Sequence, residues 1–182
     1  AHDTFVEYAK GYGINITPVR GKQIKDTWRA RWPEMGPYFD IVSRIVGETG
    51  SGTMVQWGSS RVRGRVNFPA CANGFFQGLT ADYAKDALWE VCKKCYATPG
   101  NVLYGSRPVA MMHDELLLES PITRDAECAE ELAKTMTETA NKWLPNVPNK
   151  VEPRIMKCWQ KDAEGQRDAS GRLVPFQRKE PA

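Results

Sequence analysis

No run of 18 apolar residues occurs in this 182-residue chain, which excludes a membrane-spanning helix and leaves no membrane partner to expect. The N-terminus lacks a basic segment followed by an apolar core, so no secretory leader is expected. Internal repeats and low-complexity tracts are absent as well. A large charge excess is also missing. The 25 Lys and Arg against 22 Asp and Glu leave +3, far from a histone-like protein, and this does not choose between DNA and other partners. Cysteine is sparse and scattered, with five residues at 71, 92, 95, 128 and 158. An odd, unpatterned set fits reduced thiols in a cytoplasmic protein. Cys92-x-x-Cys95 has the spacing of half a zinc site, but no second pair follows, so packing is the preferred reading.

What is present describes a globular chain. A 41% hydrophobic content with 6 Trp is enough for one domain with a sizeable core. The most informative stretch is Val109-Ala-Met-Met-His113-Asp114-Glu115-Leu-Leu-Leu118, in which two short apolar runs flank a polar tripeptide. That pattern predicts a hairpin with His113, Asp114 and Glu115 at its tip and both arms anchored in a core. Carboxylates held there could bind Mg2+, which takes oxygen ligands and few of them from protein. An ordinary solvated turn accounts for the tripeptide taken alone.

Upstream, apolar residues at 72, 75, 76, 79, 83 and 87 recur at helical spacing, while Asn73, Gln77 and Thr80 share a different meridian. Neutral amides in register, where charge would serve a solvated face, point to hydrogen bonding with a ligand. Arg61, Arg63 and Arg65 alternate along a predicted strand and should share one face. Arg20, Lys22, Lys25, Arg29 and Arg31 form a second basic cluster. Both clusters suit phosphate contacts or a solvated basic face.

The remaining pattern predicts a helix over 4–10 stopped by Gly11 and Gly13, and a second from Thr17 as N-cap with Pro18 first, running to about Arg31. A third opens at Pro37, buries Tyr38, Phe39, Ile41, Val42, Ile45 and Val46, and ends at the Gly-Ser-Gly of 50–52. Strands are expected near 54–57 and 61–68 around a turn at 58–60. A long helix from about Pro69 to Tyr96, a loop over 97–108, and a helix over 125–143 capped by Thr123 follow. That last helix should bury Ala129, Leu132, Met136, Ala140 and Trp143. A strand is expected near 151–156, and then a polar tail with a turn at Asp168-x2-Gly171 and a docking patch at 173–176.

Asn73-x3-Gln77-Gly-x2-Ala-Asp82-x2-Lys85, followed by the apolar-His-Asp-Glu-apolar hairpin, resembles the C-terminal palm region of family A DNA polymerases, the bacterial polymerase I type. The phage or prophage branch is the nearer likeness. It extends to Thr4–Gly13, Trp28-x3-Trp32-Pro-Glu-Met-x2-Tyr38-Phe39, Val151-Glu-Pro153, Met156, Trp159 and Gly171–Pro175, covering nearly the whole chain. The resemblance implies an α+β fold: an antiparallel palm sheet with packed helices, part of a right-hand polymerase. It implies the helical end of a fingers subdomain over 1–48, palm over 49–161 and a C-terminal tail over 162–182.

The implied activity is DNA-directed DNA polymerisation, using two Mg2+ ions, primer-template DNA and dNTP. Asp114 would bridge both ions, Glu115 would stand nearby, His113 would touch the primer terminus, and Asn73 and Gln77 would donate to minor-groove acceptors. An earlier Asp-x-Ser-x-Ile-Glu strand and the Arg- and Lys-bearing fingers helix of the family have no counterpart here. The implied function is therefore that of a C-terminal part needing an N-terminal polymerase chain or portion, in the cytoplasm of a bacterial host. Many relatives carry an Arg four residues before the Asn; here that position is Pro69, and Arg65 is the candidate replacement. A non-catalytic DNA-binding or structural fragment is the alternative, and the paired Asp114-Glu115 argues against it.

Overall fold

The structure, a computed structural model, describes residues 2–177; the last five residues of the expected tail lie outside the described residues. The class is α+β, with five α-helices and three separate two-stranded antiparallel sheets among the described residues. No helix there is long and apolar enough to cross a membrane. The chain divides into two compact units, residues 1–55 with 61–74 and residues 56–60 with 75–182.

The first unit holds α1 (His2–Gly11), α2 (Pro18–Arg31), α3 (Met35–Val46), β1 (Gly52–Val55), β2 (Val62–Val66) and the opening of α4 (Phe68–Tyr96). Thr17 caps α2 as its side chain accepts from the Arg20 amide at 3.2 Å, and Pro18 follows at the first helical position. Gly21 lets α1 approach, since a Cβ there would lie 2.8 Å from Val6 Cγ2. In α3, Val42 and Val46 are buried, but Ile41 is 45% exposed and does not join them. The helix also stops earlier than expected. Gly47, at φ 63°, closes it by donating to the Ser43 carbonyl at 2.8 Å, a left-handed termination that puts 47–50 in a turn before β1 opens at Gly52.

The second unit contains the rest of α4, β3 (Arg107–Met112), β4 (Glu115–Glu119), α5 (Asp125–Trp143), β5 (Gln166–Arg167) and β6 (Leu173–Val174). Its core gathers Val91, Cys95, Leu103 and Cys128, with Val102, Leu116, Leu118 and Leu132 packed around them. The 97–106 loop is thus a plug rather than a solvated connection. Leu103 is fully buried, and its amide is fixed by Asn101 Oδ1 at 2.9 Å. Burial, with Cys92 and Cys128 nearby, pushes the Cys95 thiol up to about 11, so it packs as a neutral thiol and not as a thiolate.

Two local expectations fail here, and the expected stripe of α5 holds only in part, Ala140 being buried as expected. Thr123 does not cap α5; residues 122–124 form a 3-10 turn and Arg124 takes the cap position without a side-chain bond. The face of α5 that is buried runs through Ala126, Cys128, Ala133, Thr135, Thr139 and Ala140, while Ala129, Leu132, Met136 and Trp143 are half-buried. Two threonines can occupy that face because their hydroxyls donate to carbonyls one turn back, Thr135 to Glu131 at 2.7 Å and Thr139 to Thr135 at 2.8 Å. Residues 151–156 form no strand, only one bridge from Ile155 to Pro175. The tail turn forms as expected, with Asp168 Oδ1 accepting from the Ser170 and Arg172 amides and Gly171 at φ 83°. Leu173 is then buried beside α5.

Candidate functional site

The acidic hairpin is β3–β4. Its register runs Met112↔Glu115, Met111↔Leu116, Ala110↔Leu117, then slips by one at Val109 before Pro108↔Leu118 and Arg107↔Glu119. Leu116 and Leu118 tie β4 into the core, whereas Val109, the extra residue, is 55% exposed. The arms are therefore anchored mainly through β4.

The turn contains two residues, His113 and Asp114. His113 has φ 56°, in the left-handed region that two-residue hairpin turns demand and that glycine normally supplies. A side chain there costs about 1 kcal/mol. Asp114 is exposed at the tip. Glu115, expected beside it in the turn, is instead the first residue of β4 and half-buried. Among the described residues, the side chains of His113, Asp114 and Glu115 have no hydrogen-bond or ion-pair partner, so all three polar groups are available to a ligand.

Two hard carboxylates suit Mg2+, but they are too few for a complete protein shell, and among the described residues no cluster of three or more His, Cys, Asp or Glu forms a metal site. Any ion held here would need oxygen ligands beyond the hairpin.

On α4, Asn73 belongs to the first unit and Gln77 to the second, and both side chains are exposed. Thr80 leaves the amide stripe, since its hydroxyl turns back to the Phe76 carbonyl at 3.2 Å. The apolar face also differs from expectation. Phe76 is 56% exposed, and the buried line runs through Ala84, Ala87, Val91 and Cys95.

Arg61, Arg63 and Arg65 do not alternate on one pleat. Arg61 precedes β2, and the β1–β2 register slips between Gly52↔Val66 and Met54↔Arg63. That slip inserts an extra residue in β2, with Arg65 at φ 54°, so the period-two argument fails between 63 and 65. All three are exposed. Arg63 lies along the start of α4, with Nη1 4.0 Å from the point a Cβ on Gly74 would occupy, next in sequence to Asn73.

Positioning residues emerge that the sequence pattern did not single out. Gln56 is buried and donates from Nε2 to the Phe75 carbonyl at 3.0 Å. Ser59 donates to the buried Asp82 at 2.6 Å, and Trp143 Nε1 donates to Asp86 at 2.9 Å. Gly58, at φ 81°, leaves room for the Trp143 ring, which a Cβ would meet at 2.6 Å. Together these bonds fix the 56–60 turn and α5 against α4. The available signal was the pair of acids one turn apart on a largely apolar helix.

Comparison with protein-family models and with curated proteins finds no match for this chain.

Proposed function

We propose that this chain contributes the acidic-hairpin part of a family A-type DNA polymerase, with β3–β4 as an element of its palm, acting in the cytoplasm of a phage-infected or prophage-bearing bacterium. The observation carrying this reading is Asp114. It is exposed and unpaired among the described residues, at the tip of a two-residue turn whose neighbour His113 has a strained backbone. Strain of this kind concentrates at functional sites, and a purely structural turn would favour glycine.

Asp114 would hold divalent ions jointly with a carboxylate outside these residues, and Glu115 would act from the adjacent strand. Mg2+ bound there would supply charge stabilisation for the attacking hydroxyl and the departing pyrophosphate. His113 would orient the primer terminus. Asn73 and Gln77 would donate to purine N3 and pyrimidine O2, acceptors present in every base pair, and so test pair geometry without reading sequence. Arg61, Arg63 and Arg65 would hold backbone phosphates.

Primer extension tests the reading. The chain should be inactive alone and active when supplied with a polypeptide bearing the other metal-binding carboxylate and the triphosphate-binding helix. Unaided extension, or failure to extend or bind primer-template in that mixture, would overturn it.

A further inference from the structure

The function above leaves α2 unused. Within Pro18–Arg31 it carries five cations, Arg20, Lys22, Lys25, Arg29 and Arg31, against a single carboxylate, Asp26. Lys22 lies 2.6 Å from Asp26, and the Lys22 hydrogen bond together with nearby Arg29 and Lys25 holds that carboxyl below its ordinary range. One anion thus answers three cations. The Arg20 guanidinium donates to the neutral Gln23 amide oxygen at 3.4 Å, and the Arg31 guanidinium lies 5.8 Å from the Trp32 ring centroid.

The same segment exposes two indoles. Trp28 is 40% exposed although its ring is braced against Phe39, with centroids 6.3 Å apart and planes 22° from parallel. Trp32 is 48% exposed just past the helix end. Exposure alone does not set these indoles apart, since Trp57 and Trp89 are 63% and 62% exposed; their place among five cations on one short segment does. Cations beside braced aromatic rings are what single-stranded nucleic acid requires, with phosphates on the cations and unstacked bases on the rings. A duplex hides its base faces and cannot use them. An anionic membrane would need one continuous apolar face. Here exposed Ile24 does share the face of Trp28, but Lys25 and Arg29 border it, and Val19 is nine residues from Trp28, on the opposite side of the helix.

We propose that α2 with Trp32 is a docking surface for single-stranded nucleic acid, with phosphates on Lys25, Arg29 and Arg31 and bases stacked on Trp28 and Trp32. The inference depends on neither the hairpin nor metal, and it can stand or fall apart from the polymerase reading.

The test is fluorescence anisotropy of the full chain with a labelled 12-nucleotide oligothymidylate and with a blunt duplex of equal length, at several salt concentrations. Lys25→Gln/Arg29→Gln/Arg31→Gln should weaken oligothymidylate binding at least tenfold, lower its salt slope by about 2, and leave duplex binding within twofold. Trp32→Ala should weaken oligothymidylate binding roughly fivefold or more with the salt slope unchanged. Circular dichroism checks the fold, and Arg29→Gln alone, with a slope change of about 0.7, replaces the triple variant if helicity drops. Unchanged oligothymidylate affinity, an equal loss on duplex, or capture by phosphatidylserine vesicles without oligonucleotide binding would each overturn the proposal.

Discussion

Met112 and Glu115 face each other in the β3–β4 ladder with only His113 and Asp114 between them. The pairing leaves the turn no slack: two residues must reverse the chain, and the first is driven to φ 56°. It also separates the two acids. Asp114 stands in the turn, while Glu115 is held by ladder pairing at the first position of β4. An exposed carboxylate beside a half-buried one is an asymmetric pair, and under the proposed function the two should differ in consequence.

Asp114→Asn should lower single-turnover nucleotide addition by on the order of 10³-fold, since it removes a charge that would hold metal while keeping the shape. Primer-template affinity should stay within a few-fold. Glu115→Gln should be milder. Near-normal rates in Asp114→Asn would place the metal elsewhere.

Replacing His113 separates stability from activity. His113→Gly relieves a left-handed strain of about 1 kcal/mol but adds unfolded-chain entropy of similar size. Thermal unfolding should therefore hold steady or rise by up to about 4 °C. Primer extension should fall roughly fivefold through loss of one hydrogen bond. A drop of many degrees would instead mean that the imidazole secures the turn.

The interior of the second unit makes a pH prediction. Burial raises the Glu131 pKa, but hydrogen bonds from Lys94 and Asn101 outweigh it and hold the carboxyl below its ordinary 4.5. The Lys94–Glu131 contact is 2.8 Å, and Lys94 also donates to Thr135 at 2.8 Å. A depressed folded-state pKa gives stability that is present above 4.5 and is lost as pH falls through the folded value. Urea midpoints should thus decline below that pH, and Glu131→Gln should decline less steeply there while being less stable at neutral pH. Parallel pH profiles for the two proteins would rule this out.

Regular local rules were legible in the sequence. Thr17-Pro18 marked the start of α2, the length of α4 followed from helical spacing, and two apolar runs around a polar tripeptide located the hairpin. What escaped was set by tertiary contact. Thr135 and Thr139 lie on the buried face of α5 because each finds a carbonyl one turn back. Leu103 turns an apparent loop into core by plugging the space around Val91, Cys95 and Cys128. The slips at Val109 and in β2 add one residue each, and no period-two pattern announces them. For the site, the hairpin tip was readable, whereas the shift of Glu115 into β4 followed from the register alone.

The β2 slip sharpens the last prediction. Had the three arginines shared one pleated face, each would contribute alike to duplex binding. With Arg61 outside β2 and Arg65 at a left-handed position, Arg63 is the one carried by regular strand geometry, and it lies along α4 beside Gly74. Arg63→Ala should weaken duplex binding at all sequences and reduce the salt slope by about 0.9, the value of a single phosphate neutralised. Asn73→Ala and Gln77→Ala carry no charge change. They should leave the slope intact and slow extension from matched ends by roughly fivefold, about 1 kcal/mol for each hydrogen bond to a minor-groove acceptor that is removed. Affinity against salt, measured beside primer-extension rates, separates the two classes. An unchanged slope in Arg63→Ala would return that arginine to a solvated basic face. A changed slope in either amide variant would mean that the substitution had distorted α4 itself, because deleting a neutral amide cannot alter the number of counterions released.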